Sequence, residues 1–78
     1  MQIEIRLFVD AKGMSPENKP STFLKNVENR VSVGQVVKEL GLSDHIPLIL
    51  IVNRSHATYD TVLQEGDVLN IFPPIAGG

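Results

Sequence analysis

One stretch of this chain, Ser32 to Gly41, carries the period of a helix, and it is a helix that cannot stand alone. Val33, Val36, Val37 and Leu40 recur at i, i+3, i+4 and i+7 as a single apolar stripe, while Gln35, Lys38 and Glu39 fall on the opposite face. Ser32 is placed to accept from the free N–H groups of the first turn, and Gln35 three residues on completes a capping box. Gly41 takes the left-handed cap position with Leu42 behind it as the hydrophobic contact. Three valines and Gly34 give this segment low intrinsic helix propensity, and so short a helix is marginal in water. Its stripe therefore needs a sheet to lie on.

The rest of the chain supplies that sheet. Gln2 to Val9 alternates, with Ile3, Ile5, Leu7 and Val9 on one face and Gln2, Glu4 and Arg6 on the other, the period of a half-buried strand. Asp10 to Ser21 has no apolar periodicity and contains Gly13, Pro16, Asn18 and Pro20, so it reads as an exposed loop. Thr22 to Val27 reads as a weak strand that returns beside the first. After a turn through Ser43-Asp44-His45, Pro47 introduces the unbroken apolar run Leu48 to Val52. Such a run is a strand buried on both faces, or one whose second face takes a partner. His56 to Tyr59 suggests a short edge strand and Asp60 to Leu63 a single helical turn. Gln64-Glu65-Gly66-Asp67 is a tight turn that needs glycine at Gly66. The last strand is Val68 to Phe72, with Leu69 and Ile71 inward and Val68, Asn70 and Phe72 on the other face.

These elements make one domain over residues 1–72, an α+β fold with one helix packed across one face of a mixed sheet of four or five strands. With 78 residues there is no room for a second domain, and the 42% hydrophobic and 21% charged composition is that of an ordinary globular chain. Seven basic and nine acidic residues are spread along it without a basic cluster, which argues against nucleic acid as the partner. No apolar run approaches a membrane span or a signal peptide, so the expected location is the cytoplasm, with no membrane partner. Cysteine is absent, which removes thiolate zinc sites and a cysteine nucleophile. His45 and His56 have no carboxylate at helical metal-site spacing, Gly34 is not part of a phosphate loop, and Ser43, Asp44 and His45 are too close along one turn to converge as a triad. The expectation is no bound metal and no bound cofactor. Asn53-Arg54-Ser55 matches a glycosylation acceptor pattern without a secretory context.

What remains is residues 73–78, Pro73-Pro74-Ile75-Ala76-Gly77-Gly78, with a stiff base and a bare tip. Two prolines favour an extended stalk, and at about 3.1 to 3.4 Å per residue six residues reach roughly 19 to 20 Å. Gly77 and Gly78 have no side chains and can pass through a channel that a Cβ would block. By alternation Phe72 points away from the helix at the root of this tail, where a docking anchor is useful, and Phe8 extends the same patch.

Leu63-Gln64-Glu65-Gly66-Asp67-Val68, leading through Ile71-Phe72-Pro73-Pro74-Ile75-Ala76 to Gly77-Gly78, resembles the MoaD/ThiS family of ubiquitin-like sulfur carriers, and the Phe-Pro-Pro-x-x-Gly-Gly ending is most similar to the small subunit of molybdopterin synthase. The resemblance implies a β-grasp fold with the first and last strands central and parallel. It implies that an E1-like adenylating enzyme uses ATP-Mg to turn the Gly78 carboxylate into an acyl adenylate, that a sulfur donor replaces AMP, and that the resulting thiocarboxylate acts inside the large molybdopterin synthase subunit. Ile75, Ala76 and Gly77 would thread that active site, and Phe72, Pro73, Pro74 and Phe8 would dock the body. The chain would be catalytic only together with the larger subunit. The same residues suit a carrier for thiamine, tRNA thiolation or cysteine synthesis, and a ubiquitin-like modifier joined through Gly78. A β-grasp binding module without chemistry fits the ending and the length less well.

Overall fold

The computed structural model describes residues 1–8, 21–42 and 47–73. Its elements are β1 (Gln2–Leu7), β2 (Ser21–Asn26), α1 (Val33–Glu39), β3 (Ile49–Val52), β4 (Ser55–His56) and β5 (Val68–Phe72). They form one five-stranded sheet in the order β2-β1-β5-β3-β4. β1 and β5 are neighbours and parallel, with Ile5 opposite Leu69 and Leu7 opposite Ile71, while β1–β2, β3–β5 and β3–β4 are antiparallel. This is the β-grasp arrangement, with the first and last strands of the chain paired side by side in its interior. Val9 and the 10–20 loop expectation, like the Ser43-Asp44-His45 turn, lie outside the described residues.

Strand alternation sends Ile3, Ile5, Leu69 and Ile71 to the face that carries α1. There they meet Val33, Val36, Val37 and Leu63, and all eight side chains are almost fully buried. Each such burial is worth about 1.5–3 kcal/mol, which is what holds a helix of low propensity in place. Leu50 from β3 and Val27, Val31 and Leu42 from the connections complete the core. The Leu48 to Val52 run is buried at Leu50 and half-buried on either side, so one of its faces is open.

Both ends of α1 are satisfied, though not wholly as the sequence suggests. Ser32 Oγ accepts from Gln35 N at 3.1 Å, but the reciprocal half of the capping box is not made. Gln35 Nε2 instead donates to Glu39 Oε2 one turn on, at 3.1 Å. The remaining first-turn donors are taken by the segment between β4 and β5: Val33 N donates to Thr61 O at 2.8 Å and Gly34 N to Tyr59 O at 2.9 Å. Leu63 N returns a bond to Val31 O at 2.9 Å, and Val62 forms an isolated antiparallel bridge with Ser32. Residues 60–63 are therefore a strap rather than a helical turn, because Thr61 O, with Tyr59 O before it, completes the helix, Val62 bridges to Ser32 and Leu63 fills the core. At the other end Gly41, at φ +76°, donates to Lys38 O and Leu42 N to Val37 O, the paired bonds of a Schellman cap.

The Glu39 carboxyl is held below the usual carboxylate range chiefly by the Gln35 bond, against the opposing effect of desolvation, with further lowering by Lys25, whose Nζ lies 3.4 Å away on β2. A lowered folded-state pKa makes this exposed contact favourable at neutral pH and lost as the pH falls below the ordinary carboxylate value of 4.5. It also ties the end of the helix to the outermost strand.

Gly34 is the point where the strap comes closest. A Cβ there would lie 3.1 Å from Tyr59 O and 3.2 Å from Tyr59 Cβ, and the carbonyl cannot retreat without stretching the bond it accepts from Gly34 N. Alanine is the better helix former by about 1 kcal/mol in a helix interior, yet overpacking costs about 1–3 kcal/mol. Gly34→Ala is expected to lower the urea midpoint, and Gly34→Val to lower it further. An unchanged or raised midpoint for Gly34→Ala would show that the strap yields freely.

Candidate functional site

The helix-free face of the sheet is built by the same registers that make the core. β1 contributes Glu4 and Arg6, and β5 pairs Val68 with Glu4 and Asn70 with Arg6. β3 then places Ile51 beside Asn70 and Ile49 beside Phe72. One step past the end of β1, Phe8 N donates to Ile71 O at 2.8 Å, which carries the parallel register on and sets Phe8 next to Phe72. The two rings stack with centroids 4.3 Å apart and planes 15° from parallel.

Phe8, Phe72, Ile49, Ile51 and Val68 are each half-buried, giving an apolar strip across the middle of this face. Arg6 and Glu4 border it as an ion pair at 2.6 Å on the surface. Exposed pairs of this kind contribute little to stability. The aromatic pair sits at the C-terminal ends of both central strands, and Pro73, also half-buried, follows directly. Any tail leaving this domain therefore starts from the central strand of the sheet, beside the Phe8–Phe72 pair. Pro74, Ile75, Ala76, Gly77 and Gly78, assigned from the sequence to insertion and chemistry, lie outside the described residues, as does the course of the 73–78 tail beyond Pro73.

A second feature was missed from sequence alone. Asn53 adopts φ +58° in the β3–β4 hairpin, where its side-chain oxygen accepts from Val68 N at 3.0 Å and its amide donates to Asp67 Oδ1 at 3.2 Å. Asp67 Oδ2 also accepts from Gln64 N at 2.8 Å, closing a turn in which Gly66 stands at φ +83°. That positive φ in the third position of Gln64–Asp67 is what the turn requires of glycine. The Asn53-Arg54-Ser55 pattern thus marks a bracket that fixes where β5 begins, and with it the register that aims Phe72. Among the described residues no group of three or more histidines and carboxylates is placed to hold a metal ion, and His56 is exposed on β4.

The ThiS family model matches residues 17–78, most of the chain, including the bracket, β5 and the tail. The chain belongs to the ThiS family. No curated protein sequence matches this ThiS-family chain at a significant level. Solved structures share its fold. SAMP1 from Haloferax volcanii aligns over 100% of both chains with 23% identity and a TM-score of 0.66. A second structure of H. volcanii small archaeal modifier protein 1 aligns over 95% of this chain and 98% of that one, with 24% identity and a TM-score of 0.66. The complex of subunits 1 and 2 of molybdopterin-converting factor from Helicobacter pylori 26695 contains a chain aligned over 100% of both, with 21% identity and a TM-score of 0.60. The ThiS-family chain thus has the fold of these ubiquitin-like proteins. Among its described residues no helix is long and apolar enough to cross a membrane.

The Phe8–Phe72 stack should be measurable in the folded domain. A double-mutant cycle of Phe8→Ala and Phe72→Ala in urea unfolding is expected to give a coupling of about 0.5–1.5 kcal/mol. Additive losses would mean that the rings do not support each other.

Proposed function

We propose that this chain is a sulfur carrier for molybdopterin or tungsten cofactor assembly, working through its Gly78 carboxylate. The observation that carries the reading is the stacked Phe8–Phe72 pair at the root of a Pro-Pro-x-x-Gly-Gly ending in a ThiS-family chain. A carboxylate is a poor electrophile and must be activated. In this scheme an oxygen of Gly78 attacks the α-phosphorus of ATP on an E1-like adenylating enzyme, pyrophosphate leaves, and an acyl adenylate remains. A sulfide-level sulfur donor, hydrosulfide in the simplest case, then attacks the acyl carbon, AMP departs with the electron pair of the broken C–O bond, and loss of the S–H proton leaves the thiocarboxylate. The thiocarboxylate is the nucleophile delivered to the second partner.

The chain's own contribution is presentation. Phe72, Phe8, Pro73 and Pro74 seat the body on the activating enzyme and then on the large synthase subunit. Ile75, Ala76 and Gly77 thread the channel so that Gly78 reaches the reacting atoms. ATP-Mg belongs to the activating enzyme, and this chain holds no cofactor in the scheme. The H. pylori structure, a complex of two molybdopterin-converting factor subunits, supports the choice of a larger synthase partner. The likeness to SAMP1 supports a second reading, in which the same adenylate is passed to a lysine and the chain becomes a covalent modifier.

Incubation with an activating enzyme, ATP and sulfide, followed by intact mass measurement, is expected to add about 16 Da through oxygen-to-sulfur exchange at the chain end. Deleting Gly77-Gly78 should abolish the gain. Reductant-resistant adducts on lysines without that gain would favour the modifier. For docking, Phe72→Ala is expected to weaken binding to the large subunit by about 2 kcal/mol or more, roughly thirtyfold. Unchanged affinity would remove Phe72 from the docking surface.

A further inference from the structure

The two edges of the sheet are unlike. β4 has two residues, and an edge so short invites no further pairing. β2 has six, five of them exposed, with Leu24 61% and Phe23 36% accessible. The β1–β2 ladder shows which of its backbone groups face outward. Met1 and Val27 exchange both bonds, at 2.7 and 2.8 Å, so the hydrogen-bonded pairs fall on the odd residues of both strands. Glu4 N goes instead to Asp67 O, just before β5, and Phe8 N to Ile71 O within it, as that parity requires. The N–H and C=O groups of Thr22, Leu24 and Asn26 therefore point away from β1, and no hydrogen bond among the described residues uses them.

We propose that β2 pairs antiparallel with β2 of a second copy of this chain about a two-fold axis through Leu24. The parity of the outward groups and the charge pattern select that register. Centred on Leu24, the pairs are Thr22 with Asn26 of the copy, Leu24 with Leu24, and Asn26 with Thr22, each able to exchange two bonds, so that every outward group is used. Lys25, the one charge on the strand, falls opposite Phe23 of the copy, where its stem and ammonium meet an aromatic face. Sliding by two residues in one direction sets Lys25 against Lys25. Sliding the other way leaves Asn26 unpaired.

Lys25 is already drawn towards Glu39 of its own chain, so it does not guard the edge as a free inward-pointing charge would. The axis stands perpendicular to the sheet. Both helices then lie on one side and both helix-free faces on the other, with the two Phe72 residues at opposite ends.

The absence of cysteine makes the register directly readable. Opposed hydrogen-bonded residues have Cα atoms about 5.5 Å apart, within disulfide range, so Leu24→Cys is expected to form a disulfide-linked dimer in a glutathione redox buffer at least about ten times faster than Asn26→Cys. In the proposed register the two copies of position 26 are about 13 Å apart along the strands. Equal rates, or faster linkage at 26, would overturn the register. By sedimentation equilibrium up to about 1 mM, the range for a small and weak interface, the unmodified chain should rise from 8.6 kDa towards twice that mass. Leu24→Lys, which sets two ammonium groups across the axis, should stay at the monomer mass with an unchanged far-UV spectrum. A wild type that stays monomeric throughout, or a dimer that survives both Leu24→Lys and Leu24→Pro, would overturn the proposal.

Discussion

The parallel pairing of β1 with β5 is the contact on which the rest of this molecule depends. It joins the two ends of the described chain across more than sixty residues, with Ile5 beside Leu69 and Leu7 beside Ile71. Nothing local favours such a pairing, since closing so long a loop costs entropy that only buried surface offsets. Ile3, Ile5, Leu69 and Ile71, covered by the three valines of α1, supply that surface. The same pairing puts Phe8 and Phe72 side by side on the other face. Packing and candidate docking surface are thus two sides of one ladder, and whatever shifts the register moves both.

Around that ladder the remaining contacts act as clamps. In the segment between β4 and β5, Tyr59 O and Thr61 O accept from the first turn of α1, and Leu63 fills the core. The Asn53–Asp67 bracket fixes the starting residue of β5. A strand whose start is fixed has its end fixed too, and Pro73 therefore leaves the sheet at a defined place. For a chain whose proposed chemistry sits at its terminus, a rigid point of departure limits the volume the tip must search, which is how pre-organisation raises the rate of a positioned reaction.

The helix-free face and the β2 edge meet different demands. The face presents the apolar strip of Phe8, Phe72, Ile49 and Ile51, the side chains a globular partner would cover. The edge presents backbone donors and acceptors, and what suits it is another strand. Pairing about Leu24 leaves the face open, so self-association and docking to a larger partner are not exclusive. In the paired form the two Phe72 residues would lie at opposite ends of one continuous sheet.

Much of this was legible in the amino-acid sequence because it follows from short-range periodicity. Alternation at Ile3, Ile5 and Leu7 and at Leu69 and Ile71 gave the strand faces, the valine stripe gave the helix, Gly41 and Gly66 marked turns that need positive φ, and the ending from Phe72 to Gly78 pointed to the family. Sequence also placed Phe8 and Phe72 outward in one patch, but not ring upon ring. Tertiary structure alone decided that, because stacking requires a register between residues 64 positions apart, and no local pattern encodes which strands will be neighbours. It also turned residues 60–63 from an expected helical turn into a strap and diverted Gln35 from its capping partner to Glu39. In each case a donor or acceptor that is free in the isolated segment found a better partner in the assembled fold. Local preference set the elements, and the need to satisfy buried polar groups around one core set how they meet.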